Sequence, residues 1–324
     1  MHKYVIKRLL MMIPVLLCVA FVIYAIMNVA EGDPVYSVVS ADATEAQIEA
    51  AREELGLNGT LLERYFRYVK GMLTGDLGTS YVSKRDVMQT YLERLPNTLK
   101  LASVTMVVAL AISIPLGIIA AVNQNSIKDT IAMVLALLGL SMPNFWLGLL
   151  LIMLFSLKLG WLPSGGYENG MLSLILPAFT IGAGLAAFMT RSTRSSMLDV
   201  IRQDYLRMAR AKGVSERKVI RKHALRNALI PIITVFGVQF SNVLGGSVLA
   251  ETVFAWPGVG RLVVDAIDQR DIPMVTGALV MTTMIVSIVN LLIDIVYAFV
   301  DPRIKSQYKK RGKKSALRAK KQEA

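Results

Sequence analysis

The apolar positions of this chain fall in long blocks rather than on one face of short elements. A membrane-crossing helix needs about 20 mostly apolar residues, rising about 1.5 Å each, to cover about 30 Å of hydrocarbon. Six blocks meet that length: Leu9–Ala30, Thr98–Val122, Thr130–Leu157, Leu172–Met189, Ala228–Ala250 and Met274–Val300. The fourth is the shortest. The first follows Lys3, Lys7 and Arg8, so a signal peptide is its alternative reading. Its apolar stretch is too long for one, and Ala30-Glu31-Gly32-Asp33 is a poor small-residue cleavage site. Pro115, Pro143, Pro177 and Pro231 are expected to kink spans or mark their ends.

Between the first two blocks the pattern turns amphipathic, and Asp42–Pro96 predicts short helices. Thr44-Glu45-Ala46-Gln47 is a capping box; Ile48, Ala51 and Leu55 then share a face, and Gly56 ends the helix. Leu62, Tyr65, Phe66 and Val69 repeat the pattern up to Gly75. Ser83 with Asp86 opens a third helix, which Pro96 closes. Two roles are compatible with these helices: a lid packed on the spans, and a docking surface for an extracytoplasmic partner. A second segment of this kind holds Trp256-Pro257-Gly258-Val259-Gly260, where Pro and two glycines force a turn. Leu262, Val263, Ala266 and Ile267 follow as a short apolar-faced helix that can dip toward the bilayer only where protein or a cavity covers its backbone.

Composition agrees with lipid as the solvent. Hydrophobic residues make up 54% of the 324 and charged residues 18%, with a mean hydropathy of +0.51; soluble domains carry about 25% charged residues. The single cysteine, Cys18, and the two histidines, His2 and His223, can build neither a disulfide framework nor a dense metal site, and no cofactor is expected. The net charge of +13 matters chiefly through its placement. Lys3, Lys7 and Arg8 precede span one, Arg191–Arg226 is densely basic, and so is the tail from Arg303 to Lys321. Six spans bring all three to one side, the cytoplasmic one by the excess of Lys and Arg. The net acidic segments Glu31–Pro96 and Glu251–Asp271 then face outward.

Some polar groups lie inside the spans. Asp294 sits about 9 Å inside the end of span six. A mid-membrane Asp costs about 2.5–3.5 kcal/mol on insertion scales, so it is read as a partner for an inner-face Arg or Lys, or else as an ion or proton site. Asn144 in span three and Gln239, Ser241 and Asn242 in span five either bond to neighbouring helices or line a wet path. No span carries charges spaced for a proton relay.

The basic segment has structure of its own. Asp204–Gly213 reads as a helix ended by Gly213, and Ser215 caps a second helix with Glu216 in its first turn. Ile220, Ala224 and Ala228 share an apolar face, while Arg217, Arg221 and Lys222 point elsewhere. Topology alone needs a few charges; two capped helices joined at a glycine predict a firm basic projection that docks a protein. Nucleic acid is excluded as the partner because no aromatic platform accompanies the charges.

Residues Ala209-Arg210-Ala211-Lys212-Gly213 through His223-Ala224-Leu225-Arg226-Asn227-Ala228-Leu229-Ile230-Pro231 resemble the EAA loop of ABC importer permeases, in the version of the dipeptide and oligopeptide group. The usual Glu-Ala-Ala start falls on Arg207-Met208-Ala209, so the glutamate and one alanine are absent. Other matches are Gly32-Asp33-Pro34, Gly75-Asp76-Leu77-Gly78-Thr79-Ser80, Leu95-Pro96-Asn97-Thr98, Glu251-Thr252-Val253-Phe254 with Trp256–Gly260, and Asp301-Pro302-Arg303. They resemble the first of the two permeases in these systems.

The resemblance implies an all-α integral membrane protein with six transmembrane helices of the MetI-like ABC importer type. It is divided into a first segment (1–30), an outer helical insertion (31–96), a five-helix core (97–303) holding the coupling loop at 191–228, and a basic tail (304–324). It implies a multi-pass protein of the bacterial inner membrane with cytoplasmic termini. Its partners would be a second homologous permease, two cytoplasmic ATPases, an extracytoplasmic binding protein and the lipid bilayer. The coupling residues it implies are Asp204, Tyr205, Ala209, Arg210, Ala211, Gly213, Arg221, His223 and Asn227, with an outer loop at Trp256, Pro257, Gly258 and Gly260. The chain itself has no Gly-x-x-x-x-Gly-Lys-Ser/Thr phosphate loop, so it is not expected to hydrolyse ATP. The cargo expected is a di- or oligopeptide, with nickel or glutathione as alternatives. A self-sufficient carrier or channel is the reading from a different class, and a membrane enzyme lacks any cluster of His, Cys or carboxylates near the spans.

Overall fold

The computed structural model describes residues 2–29, 33–40 and 42–300. The basic tail and Asp301-Pro302-Arg303 lie outside the described residues, as does Gly32 of the Gly32-Asp33-Pro34 match. Among the described residues, five helices are long and apolar enough to cross a membrane, and a bent pair makes a sixth candidate.

Helix α1 (His2–Val29) starts earlier than its apolar block, so the basic residues before Leu9 are helical too. Arg8 reaches Asp294 at 2.6 Å, and the Tyr4 hydroxyl donates to the same carboxylate at 2.6 Å. Asp294 is thus paired with an Arg from the basic end, which removes the cost of an isolated carboxylate near the edge of the apolar zone.

The insertion holds α2 (Glu45–Glu54) and α3 (Leu61–Thr74). Both begin with capping boxes, Thr44 with Gln47 as expected and Thr60 with Glu63 in addition. Gly75 ends α3 at a φ of 84°. The insertion is tied to the bundle by Asp271, whose buried carboxylate accepts from the Ser80 hydroxyl and from the Tyr81 N–H at 3.1 Å. Tyr81 is buried there with Tyr24 and Ile272, and Tyr68 packs partly buried against them; the loss of solvent around both phenols pushes them well above their usual range, so they stay neutral.

Helix α4 (Val87–Val122) corrects the expected third helix and second span, which are one element. Asp86, not Ser83, caps it, its carboxylate accepting from the Gln89 N–H at 2.7 Å. Pro96 stands inside it rather than closing it. Packing compensates for the lost backbone bond: Tyr91, Thr98, Leu101 and Ala102 on either side are buried.

The third span is corrected as well. Helices α5 (Ile127–Ser141) and α6 (Asn144–Leu151) meet at an angle of 100° around Met142-Pro143. Proline disfavours the helical conformation at the residue before it and supplies no N–H, so this is a break and not a kink. A π-helical stretch, Ile152–Lys158, continues α6.

Helix α7 (Leu172–Ile201) runs well past Met189, so Arg191 and Arg194 belong to a helix and not to a loop. Its pairing with α4 is the most extensive in the fold. The approach is close because Gly117 faces Thr193: a Cβ at Gly117 would lie 2.5 Å from the Thr193 Cβ. Small residues at such contacts stand in for the hydrophobic drive that lipid does not supply.

After α7 come α8 (Asp204–Ala211), the short α9 (Glu216–Lys218), a π-helical turn Val219–Ala224 and α10 (Leu225–Gly246). From Glu216 to Gly246 these form one continuous span-length helix. It stops short of Ala250, where α11 (Val248–Val253) follows. Helix α12 (Val259–Asp268) is the expected short amphipathic helix, with Val263 and Ala266 buried. Helix α13 (Ile272–Val300) returns alongside α1 and α10.

Candidate functional site

The basic segment folds into a two-helix knuckle. Its turn is a Schellman motif: the Gly213 N–H donates to the Arg210 carbonyl at 2.9 Å and the Val214 N–H to the Ala209 carbonyl at 3.2 Å. Gly213 takes a φ of 76°, a conformation that costs a residue with a side chain about 1–2 kcal/mol. Across the turn Arg210 forms a bidentate pair with Glu216, at 2.9 and 3.0 Å. That pair holds the Arg210 guanidinium above its usual value. Ser215 occupies the cap position of the second helix, but its side chain makes no cap bond; its backbone carbonyl receives the Lys218 and Val219 N–H groups instead.

The underside of the knuckle is a core. Leu206, Val219, Ile220, Ala224 and Ala228 are buried against Ala121 of α4, Met197 of α7 and Ile232 of α10, with Ala209 and Val214 partly buried beside them. Ala209 therefore serves the protein's own packing, while Ala211, Lys212 and Gly213 are exposed. Asn227 links the helices, its side-chain amide donating to the Tyr205 hydroxyl at 2.8 Å and to the His223 carbonyl at 3.0 Å. The outer surface presents Tyr205, Arg207, Met208, Arg217, Lys218, Arg221 and Lys222; Asp204 is exposed with them, and His223 is half-buried.

Sequence reading missed the clamp behind this knuckle. Arg194 grips Asp129 with two bonds, Nε to Oδ1 at 2.7 Å and Nη2 to Oδ2 at 2.6 Å, and Asp129 also accepts the Asn125 N–H at 2.9 Å. Asp129 is buried and Arg194 partly so. The pair locks the start of α5 onto the end of α7. The one legible hint was Ser126-x-x-Asp129, a helix start; its partner 65 residues away was not legible.

The polar groups inside the spans divide. Gln239 and Asn242 bond to each other at 2.9 Å, with Asn242 exposed. Ser241 points the other way, buried, with no hydrogen-bond partner for its hydroxyl among the described residues. Asn144 is exposed at the start of α6, beside Gly184. Of the four, then, the structure brings together only Gln239 and Asn242.

At the opposite end of the bundle, the Trp256–Gly260 turn is buried rather than displayed. Trp256 is fully enclosed, and its indole N–H donates to the Asn97 carbonyl at 3.0 Å while the Asn97 amide donates to the Pro257 carbonyl at 2.9 Å. The group that organises the turn is Glu251, also fully buried. Its carboxylate accepts from the Thr98 and Ser247 hydroxyls, both at 2.9 Å, and from the Arg261 N–H at 3.1 Å. The Thr98 hydroxyl oxygen in turn accepts the Val259 N–H at 2.8 Å. Helix α12 begins at Gly258, which has no side chain to cap it. Thr98 and Glu251 thus satisfy its first amides from outside the helix, and the carboxylate sits at its positive end. The glycines leave room: a Cβ at Gly258 would fall 2.3 Å from a Glu251 oxygen, and one at Gly260 would fall 2.7 Å from the Val248 Cα. A small open pocket of about 160 Å³ adjoins the turn, lined by Arg94, Arg261 and Asp265 among others. Among the described residues no group of His, Cys, Asp and Glu is placed to hold a metal ion.

Residues 113–306 match the family described as Binding-protein-dependent transport system inner membrane component, and residues 1–102 match Binding-prot-dependent transport system membrane comp, N-term. The chain is 44% identical over 314 residues to the oligopeptide transport system permease protein AppB of Bacillus subtilis, covering 94% of this chain and 99% of that protein. It is 43% identical over 305 residues to the glutathione transport system permease protein GsiC of Salmonella paratyphi A, with 94% and 99% covered. Among solved structures, the inward-facing MetNI methionine ABC transporter matches with a TM-score of 0.56, at 19% identity, over 66% of this chain and 97% of that one. At that identity the likeness is one of fold.

Proposed function

This chain belongs to the family of binding-protein-dependent transport system inner membrane components, and from that membership we propose that it forms half of the pathway of an ATP-driven importer for di- and oligopeptides, driven through the knuckle at Asp204–His223. The single observation that carries this reading is the two-sided build of the knuckle. Its underside shares one core with the ends of α4, α7 and α10, while its outer surface, with Tyr205, Met208 and the basic side chains, is left exposed among the described residues. A push on that surface displaces three membrane helices as a body, and the Asp129–Arg194 clamp passes the displacement on to α5. ATP hydrolysis belongs to separate cytoplasmic subunits seated on this surface, and a second permease completes the pathway. The basic end, with Lys7 and Arg8, faces the cytoplasm by the excess of Lys and Arg. Gln239 and Asn242, together with Asn144 just past the break between α5 and α6, are the candidates for the lining of the pathway.

Replacing Gly213 by valine and Arg210 by alanine in the assembled importer tests the coupling. Peptide uptake in proteoliposomes is expected to fall by about tenfold or more, in keeping with a coupling free energy of roughly 1–3 kcal/mol, while basal ATP hydrolysis and the amount of protein in the membrane persist. Uptake at the unaltered rate would sink the proposal. Glutathione is the second reading for the cargo, favoured by the identity to the glutathione permease; competition between labelled peptide and glutathione, with the importer's own binding protein present, separates the two.

A further inference from the structure

Helix α3 carries three faces. Arg64, Arg67 and Lys70 form a polar one. Tyr65, Tyr68 and Met72 form a second, which meets the bundle. Leu62, Phe66 and Leu73, with Val69 between them, form a third at i, i+4, i+7 and i+11; Leu62, Phe66 and Leu73 are 54%, 66% and 75% exposed. A stripe of that exposure is unusual on a loop helix in water.

The depth of α3 accounts for it. The Tyr65 hydroxyl donates to the Leu17 carbonyl at 3.0 Å, and its ring lies edge-on to Phe21 at 5.3 Å. Tyr68 lies against Tyr24, with ring centres 5.9 Å apart, and Arg64 reaches up to Asn28. Along a helix, Phe21 lies about 12 Å and Leu17 about 18 Å below Val29. The α3 helix therefore crosses α1 beside its apolar shaft, not above it. The shaft side chains Phe21, Val22 and Ile26 are themselves exposed, as lipid-facing groups are. The α3 stripe continues that apolar surface at the same depth.

We propose that α3 is an interfacial helix whose Leu62–Phe66–Leu73 stripe lies in the bilayer leaflet at the insertion end, against acyl chains. The polar face completes the amphipathic pattern. Lys70 borders the stripe and Arg67 follows on the same side, where long basic side chains reach phosphate headgroups while their stems stay apolar. The capping box of Thr60 with Glu63 and the Gly75 end make the element a closed, self-contained helix, as a backbone at membrane depth requires. The inference rests on α1 spanning the membrane and is independent of the cargo.

The test uses the full chain in its assembled complex, in lipid nanodiscs, with Cys18→Ala as background. A nitroxide is attached in turn at Phe66→Cys, Leu73→Cys, Arg67→Cys and Lys70→Cys. The first two are expected to collide with dissolved oxygen in preference to a water-soluble nickel chelate, and the last two with the chelate. Addition of the extracytoplasmic binding protein should leave the Phe66 and Leu73 sites unchanged. Equal chelate access at all four positions would overturn the proposal, because the stripe would then stand in water. Protection of Phe66 and Leu73 only on adding the binding protein would also overturn it, by assigning the stripe to protein docking. Oxygen preference at a Val22→Cys control checks separately that α1 faces lipid.

Discussion

Gly260→Ala is expected to leave little folded protein in the membrane. The added methyl group would lie 2.7 Å from the Val248 Cα, a backbone atom in the adjoining helix, and 2.9 Å from a Glu251 oxygen. A rotamer change cannot relieve the first contact. Helix α12 must move away from α11, and overpacking of this kind costs roughly 1–3 kcal/mol. The displacement also parts the Val259 and Arg261 N–H groups from Thr98 and Glu251. Each buried group left unpaired costs about 1–3 kcal/mol more. The sum approaches the total stability of about 5–15 kcal/mol that a domain possesses. Gly258→Ala acts on the same knot through the carboxylate and should be nearly as severe. Glu251→Gln should fall between these variants and the natural protein, because its amide keeps the size and one acceptor but turns a donor toward the start of α12. Yield of monodisperse protein after detergent extraction, with its thermal midpoint, measures all three. A Gly260→Ala protein with unaltered yield and midpoint would show that the knot yields freely.

The Asp129–Arg194 clamp carries the second large expectation. Removing one partner of a buried, bidentate pair leaves an uncompensated charge and costs roughly 3–5 kcal/mol. Asp129→Ala and Arg194→Ala should therefore each lower the thermal midpoint by on the order of 10 °C, taking a few degrees per kcal/mol. The double variant Asp129→Leu with Arg194→Leu should recover most of the loss, since a buried pair replaced by apolar residues of like volume is often near neutral. A double-mutant cycle with a coupling energy close to zero would contradict the clamp. The comparison has a functional side as well. If α5 follows α7 through this pair, the double-leucine variant is expected to keep its stability yet lose uptake, because packed side chains slide where two fixed bonds do not.

Much of this was legible in advance. The apolar blocks announced the spans, since no other solvent tolerates stretches such as Leu9–Ala30. The capping box at Thr44, the glycine ends at Gly56 and Gly75, and the glycine-centred knuckle followed from local backbone chemistry, which acts over a few residues. The Ile220, Ala224 and Ala228 face was correct because helical period alone decides which side chains share a side. The pairing of Asp294 with an arginine was legible as a need, though not as Arg8 in particular.

What local rules misjudged were the places where a distant surface decides. Pro96 has the chemistry of a helix end, yet the packing of Tyr91, Leu101 and Ala102 carries α4 through it. Arg194 has the chemistry of a loop cation, yet Asp129 holds it in a helix. Trp256 and Glu251 read only as parts of an outward-facing turn and its acidic flank, yet both are fully enclosed. The sequence by itself therefore determined the solvent, the number of apolar segments, the capped helices and the existence of a basic knuckle, because each depends on residues near one another in the chain. Only the tertiary structure decided where the third span breaks by 100°, which carboxylates are buried, and that α3 lies at the depth of the α1 shaft. These depend on contacts between residues tens to hundreds of positions apart, and their free energy exists only once the helices have met.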